Sequence, residues 1–377
     1  MQERSLYIHI PFCRKKCSYC CFYSQSYSKV KALAYMQVLV KQLQVLKERG
    51  EFFSTVYLGG GTPSVLDEDI LEILLKELSF FFKKSHENTV EINPESWSKS
   101  KAELFKDSGI NRLSLGVQSL NNKKLQFLGR IHSAKQSLET ILSMHKFGFR
   151  NIGVDLIFDT PLDTWESFLK ELEIITSLPI THISCYGLSY EENTLLYKQM
   201  FEKKLVLEQD PFALVYNKTV SFLKTKGYLQ YEISNFSKRG FKCRHNLNYW
   251  RNIPYVGLGP SAVSFCDYQR LKNVSSIDKY IELVLNNEQV FSESEKLSPL
   301  RRACEYAAVA IRNISGINFD KFKESMGLDL RKIRKHQIED LVSKRLISYK
   351  KRKNIYGIKL TRRGVLFCDL VSQEFIL

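Results

Sequence analysis

From residue 5 to about residue 234 the chain alternates short runs of β-branched and aromatic residues with longer stretches of helical periodicity, and this alternation restricts its fold more than any other feature. The strand candidates are SLYIHI, TVYLG, TVEIN, RLSLGV, NIGVDLIF, HISCYGL and a last YEIS. Apolar-periodic stretches at residues 32–46, 70–82, 134–147 and 165–178 lie between them. Strand, helix, strand repetition argues for an α/β fold in which helices cover a parallel sheet. The count suits a barrel or partial barrel, where reactive residues gather at strand ends and in βα loops.

After residue 235 the pattern breaks. The loop SKRGFKCRHN leads to an aromatic stretch and then to GLGPS, and helices resume near Ile277. The tail reads as helices, then two short strands around a basic turn in RLISYKKRKNIYGIKLT, then an apolar helix from Arg363. That order resembles a small, mainly helical, winged-helix-like module. We therefore expect three parts: 1–235, 236–290 and 291–377. No apolar run approaches the roughly eighteen residues a membrane span needs. MQERS runs directly into LYIHI without a signal-peptide pattern, so a cytoplasmic location is expected.

The formal charge is +16, and residues 321–363 hold fifteen Lys and Arg against four Asp and Glu. Such a segment suits nucleic acid, an acidic membrane surface, an anionic ligand or an acidic partner, and equally suits a solvated face.

Nine cysteines are present, and four of them fall between Cys13 and Cys21. A tight cluster of this kind in a reducing compartment marks a metal or redox site, not a disulfide framework. The other five (Cys185, Cys243, Cys266, Cys304, Cys368) are scattered and read as small buried hydrophobes. In IHIPFCRKKCSYCCFY, Cys13, Cys17 and Cys20 stand just past the first strand. Thiolates suit iron–sulfur clusters or zinc. Structural zinc usually takes four ligands in separated pairs, and no second pair follows. Three thiolates on a cubane would leave one iron open to an outside ligand. Cys21 is the nearby fourth thiol, but as the neighbour of Cys20 it points elsewhere.

Cys-x3-Cys-x2-Cys after a first strand, with Tyr19 before the last cysteine, resembles the radical-SAM superfamily. Gly59, Gly60 and Gly61 in YLGGGTPS follow the second strand. A glycine run alone marks a tight turn as readily as a ligand site. Then come EINPE with Glu91, RLSLGVQS with Gln118, LGRIH with Arg130 and VDLIF with Asp155. Singly, each is a candidate salt bridge or cap. In this order at successive strand ends they resemble the coproporphyrinogen-dehydrogenase-like branch of the superfamily. The resemblance runs from Tyr7 to the tail. It implies a partial (β/α)6 barrel, a [4Fe–4S] cluster on Cys13, Cys17 and Cys20, and S-adenosyl-L-methionine. It implies further that Tyr7, Tyr19, Gly60, Gly61, Thr62, Glu91, Gln118, Arg130 and Asp155 line the cofactor pocket, with Arg130 pairing with the cofactor carboxylate. The chain departs at Asp159–Thr160, where relatives usually have Gly-Leu.

That branch contains an oxygen-independent coproporphyrinogen III oxidase and a heme chaperone. The oxidase carries a fourth cysteine two positions after the third ligand, and this chain has Phe22 there. CRHNLNYW resembles the HNxxYW signature of the heme-chaperone side. Imidazole and phenolate both ligate haem iron, and on a helix His245 and Tyr249 would share a face. On the residues alone, His245 is a histidine satisfied in an aromatic core; the resemblance makes it a heme ligand, with Arg244 or Arg251 meeting propionates. Where relatives often read GAHS, this chain has Ala262–Val263–Ser264. The resemblance thus implies a chaperone that binds heme, delivers it to acceptor proteins and touches the membrane peripherally. Nucleic acid is the weakest of the partners considered, for want of an aromatic-interleaved basic surface.

Overall fold

A computed structural model describes residues 3–203, 211–352 and 355–377. Its centre is a run of six parallel strands lying side by side in chain order: β1 (Ser5–Ile10), β2 (Thr55–Gly60), β3 (Glu87–Ile92), β4 (Arg112–Gln118), β5 (Ile152–Phe158) and β6 (His182–Gly187). Parallel neighbours need long crossovers, and helices supply them: α1 (Lys29–Glu48), α2 (Glu68–Phe82), α3 (Lys99–Ser108), α4 (Asn122–Phe127), α5 (Ala134–Lys146) and α6 (Trp165–Ser177). Local chemistry starts these helices where the periodicity does. Ser133 and Gln136 cap α5 reciprocally, as Thr164 and Ser167 cap α6.

Side-chain parity decides what the sheet can hold. Successive residues of a strand face opposite sides. Leu6, Ile8, Val56, Leu58, Val90, Leu113, Leu115, Val154, Leu156, Ile183 and Cys185 turn outward and are buried under the helices. The inward positions are polar, aromatic or glycine. Tyr7 pairs with Tyr57, Tyr57 with Thr89 and Thr89 with Arg112; further along, Glu91 pairs with Ser114, Gly116 with Asp155 and Asp155 with Ser184. A closed barrel of this type fills its centre with branched apolar side chains. Here the centre is polar, and the sheet continues past both β1 and β6, which makes it a partial barrel.

The final strand of the parallel part differs from expectation. YEIS does not form a strand; β7 (Asn235–Ser237) does, antiparallel to β6. Glu232 folds back to accept from Ser234 N and Asn235 Nδ2, which turns the chain before β7 begins. Between β6 and β7 lie α7 (Leu195–Lys203) and α8 (Phe212–Thr225). Beyond β7, α9 (Arg244–Trp250) leads to β8 (Tyr255–Leu258), which pairs in parallel with the free edge of β1. β9 (Val263–Cys266), β10 (Gln269–Asn273) and β11 (Phe291–Lys296) extend that edge as an antiparallel meander, interrupted by a helix at Ile277–Leu285. Val263 stands in β9. These strands carried no clear signal, because glycine and charged residues interrupt their alternation.

The expected division after residue 290 falls just before β11, a strand that still belongs to the large sheet. A separate core starts with Ala303 and gathers Phe319, Phe322, Ile338, Ile358 and Phe375. Six helices and the antiparallel strands Ile317–Asn318, Ile347–Arg352 and Ile355–Leu360 make up this part, and the apolar helix expected from Arg363 is two short ones, Arg362–Leu366 and Cys368–Gln373; the turn expected at 353–354 lies outside the described residues. Cys185, Cys243, Cys304 and Cys368 are buried as expected, while Cys266 is partly exposed. No helix among the described residues is long and apolar enough to cross a membrane.

One ionic triad fixes the wall between β4 and β5. Lys124 is fully buried, 2.7 Å from Asp163 and 3.6 Å from Glu171. Glu171 also accepts from Ser119 and Leu120, and Asp163 from the amide and hydroxyl of Thr160. Asp159 takes φ 63°, a left-handed conformation that glycine adopts freely and aspartate tolerates. The departure at Asp159–Thr160 is thereby accommodated, since Thr160 is tied down by Asp163. Lys124→Met would leave two buried carboxylates without their cation. We expect it to destabilise the fold by about 3–5 kcal/mol, seen as a lower urea midpoint at pH 7; an unchanged midpoint would show that the triad is dispensable.

Candidate functional site

The cysteine loop rises from the C-terminal end of β1 and is held from three sides. Phe12–Cys13 pairs in parallel with Gln25–Ser26. Ser18 donates its amide to Leu128 O and its hydroxyl to Phe127 O, so the turn after α4 grips the loop from beside β4. Leu196 N donates to Ser18 O at 2.7 Å from α7. The thiols of Cys13, Cys17 and Cys20 are partly accessible, whereas Cys21 is exposed and Phe22 is 65% exposed. Burial pushes Cys13 up and Cys20 up to about 11, and each thiol is raised further by the other cysteines nearby. Thiols raised in this way ionise together only beside strong positive charge. Among the described residues no three His, Cys, Asp or Glu side chains converge on one metal ion. A cubane does not ask for that convergence, since each thiolate binds a different iron.

Below the loop, the inner face of the sheet becomes the wall of an accessible lumen. In β1, β2, β3 and β5 the residues Tyr7, Tyr57, Glu91 and Asp155 are partly accessible between buried neighbours. Tyr186 of β6 is 41% exposed although Asp155 and Glu91 are close enough to raise its pKa after burial has done so. Exposure amid so many neighbours places it on a concave surface. Glu91 accepts from Tyr57 Oη at 2.7 Å and from Gly60 N at 3.1 Å. Desolvation pushes its carboxyl up to about 7, with the charge of Asp155 adding to the shift. Asp155 is itself raised by burial, and the Ser184 hydroxyl partly offsets this. Gln118 sits at the end of β4 with φ 63°.

The glycine run serves the protein's own packing first. Gly60 takes φ 106°, and a Cβ there would stand 2.4 Å from His9 Nδ1. Gly61 N and Thr62 N donate to Ile10 O and Phe12 O, docking the run against the cysteine loop. Arg130 is held by the protein itself. It gives Nη2 to Asn93 Oδ1 and Gly116 O, and Nη1 to Cys17 Sγ at 3.4 Å. These protein acceptors take three of the five guanidinium N–H donors. Tyr19 packs against Leu128, Ile157, Leu188 and Leu196, on the flank of the loop.

α9 closes the opposite end of the lumen. Glu87 caps it, accepting from Arg244 N at 2.9 Å and His245 N at 3.0 Å. His245 is 2% exposed and stacks on Tyr57 at 4.8 Å between centroids. Its Nδ1 lies 2.8 Å from Thr55 Oγ1 and its Nε2 lies 3.2 Å from Tyr249 Oη. In this conformation the imidazole has no free nitrogen to offer an iron, so the expected heme ligand is a satisfied floor residue. The sharing of a face by His245 and Tyr249 is as expected; it is used for a bond between them. Arg112, buried beside them, lacks hydrogen-bond partners for Nε and Nη1 among the described residues.

Asn93, Tyr57, Glu87 and Tyr186 were missed by sequence reasoning. Asn93 lay inside the quoted EINPE, and period-two alternation places Tyr57 and Tyr186 on the same inner face as Glu91 and Asp155. Nothing in the sequence marks Glu87 as the cap of a helix that begins 157 residues later.

Residues 7–175 match the family model of the radical SAM superfamily. The chain is 32% identical to the heme chaperone HemW of Lactococcus lactis, covering 100% of this chain and 98% of that one. It is 31% identical to the heme chaperone HemW of Bacillus subtilis, covering 99% of each. The solved structure of coproporphyrinogen III oxidase (HemN) from Escherichia coli superposes with a TM-score of 0.84 over 100% of this chain and 90% of that one, at 20% identity. The last likeness establishes the fold.

Burial holds His245 down to about 3 from its ordinary 6.5, and the charge of Arg112 assists. The unfolded chain therefore binds a proton that the folded chain refuses, and stability is lost as pH falls below about 6.5 toward 3. His245→Asn should lose less stability than the parent protein between pH 6.5 and 4, in urea midpoints of the metal-free chain. Equal slopes for the two would contradict the buried neutral assignment.

Proposed function

The chain belongs to the radical SAM superfamily, in the family of the heme chaperone HemW, and on that footing we propose that it holds a [4Fe–4S] cluster and S-adenosylmethionine, binds heme, and passes heme to acceptor proteins. Cys13, Cys17 and Cys20 would hold the cluster. Tyr7, Tyr19, Gly60, Gly61, Thr62, Glu91, Gln118, Arg130 and Asp155 would surround the cofactor. The observation that carries the proposal is the placement of three mutually close thiols in one braced loop at the mouth of a polar lumen. The donor set fits a cluster: soft sulfur ligands, three in number, beside a guanidinium that already donates to one of them.

A cluster held there by Cys13, Cys17 and Cys20 would offer an open iron coordination position and one-electron chemistry. The protein's own contribution is to shape and dry the site. Glu91, poised near neutrality, accepts from Gly60 and Tyr57 and presents a carboxyl edge to ribose hydroxyls. Asp155 and Ser184 face the same space from the next strands. The phenols of Tyr7, Tyr57 and Tyr186 cover the wall with rings that exclude water while keeping polar tips.

Two features favour a carrier over an oxidase. Phe22 stands where the resemblance places the oxidase's fourth cysteine, and it faces solvent. The full-length relatives at 31–32% identity are heme chaperones. For His245 to take the iron, α9 has to release the bond to Tyr249, so heme-bound protein would differ from the conformation described. The basic segment of residues 321–363 would meet the anionic membrane surface where acceptors receive heme.

Anaerobic reconstitution tests the reading. The parent protein should bind about four iron and four sulfide, and the Cys13→Ala/Cys17→Ala/Cys20→Ala variant neither. Hemin should bind the parent, fail on His245→Ala and bind more tightly to Tyr249→Phe, as followed by its Soret band. Coproporphyrinogen III with S-adenosylmethionine should give no decarboxylated product. Turnover to protoporphyrinogen would overturn the chaperone reading.

A further inference from the structure

The thiols of Cys13 and Cys17 lie at the two ends of one unbroken line of hydrogen bonds. Arg130 Nη1 donates to Cys17 Sγ at 3.4 Å, and its Nη2 donates to Asn93 Oδ1 at 2.6 Å. Asn93 Nδ2 donates to Thr62 Oγ1 at 2.8 Å, and Thr62 donates its hydroxyl to Cys13 Sγ at 3.6 Å. Each group comes from a different strand end: the loops after β1, β2 and β3, and the turn before α5.

The direction of the line is fixed by chemistry. Arginine has donors only, so the amide oxygen of Asn93 must face it. The amide nitrogen then faces Thr62 and fills an acceptor site on that hydroxyl. The hydroxyl proton is left for the thiol. Asparagine offers an acceptor and a donor on one short, rigid group, a pairing that aspartate and leucine lack. Space for the meeting comes from Gly116. A Cβ there would stand 2.7 Å from Asn93 Oδ1 and 3.2 Å from Arg130 Nη2, and Gly116 O itself accepts from Nη2 at 2.8 Å.

We propose that Asn93 is a positioning residue that relays the polarising effect of Arg130 through Thr62 to Cys13, so that one guanidinium serves two of the three cluster thiolates and sets the cluster's reduction potential. This rests on the [4Fe–4S] reading above. Donors to a ligating sulfur stabilise the more negative, reduced cluster more than the oxidised one, and so raise the potential. Asn93 touches neither sulfur nor iron, and its effect travels wholly through its neighbours.

The test is an EPR-monitored redox titration of anaerobically reconstituted protein, after iron and sulfide have been counted. Asn93→Leu should make the cluster at least tenfold harder to reduce at a fixed poise, equivalent to a fall of about 59 mV for a one-electron couple. Thr62→Val, which removes the direct donor to Cys13, should shift the potential the same way by at least as much. Asn93→Leu with full iron and sulfide and an unshifted or higher potential overturns the relay while leaving the cluster in place. A parent protein that binds no iron and sulfide overturns the cluster reading itself. Should Asn93→Leu fail to load, Asn93→Ala decides on the same criterion: a lower potential supports the relay and an unshifted one refutes it.

Discussion

The inner face of the six-stranded sheet is polar, and the rest of the molecule is arranged around that constraint. Buried polar groups are costly without partners. The apolar parity of each strand has to be spent on the helix-covered side, which leaves tyrosines, carboxylates, serines and glycines facing the centre. Such a centre does not collapse into a packed core, and it stays accessible at Tyr7, Tyr57, Glu91, Asp155 and Tyr186. What the lumen does with this opening is then governed by its two ends. A braced loop of thiols stands at one end, and a capped helix carrying His245 closes the other.

The two ends differ in their electrostatics. At the mouth, thiols raised by burial and by one another wait beside Arg130 for a positive centre. At the floor, burial keeps the imidazoles of His182 and His245 neutral, and the positive charge of the buried Arg112 guanidinium assists. Glu91 and Asp155 lie between them, both raised by desolvation. A lumen that is neutralised internally suits a cofactor bearing both charges, such as the amino-acid end of S-adenosylmethionine.

Much of this was legible in the sequence, for reasons that can be named. All six parallel strands and the four helices singled out follow periodicity, because burial on one face writes period two or period 3.6 directly into the residues. The cysteine loop was legible because so few ligand sets share its spacing. The meander at β9 to β11 was not, since its strands are short, charged and solvated. YEIS read as a strand on composition, yet Glu232 turned the chain by bonding to the backbone that follows it. Asn93 and Glu87 act on partners that lie far along the chain, and local pattern carries no information about such pairings. His245 shows the reverse: its motif was visible, but only the tertiary structure reveals that both ring nitrogens are already engaged.

The central claim is that three thiolates hold a cubane with one corner free for a sulfonium cofactor. The EPR spectrum of the dithionite-reduced, reconstituted protein, recorded with and without S-adenosylmethionine, tests it most directly. The account predicts a reduced [4Fe–4S] signal whose g-values move when the cofactor is added. A protein that carries zinc and gives no such signal, or a cluster whose spectrum is indifferent to S-adenosylmethionine, would contradict it.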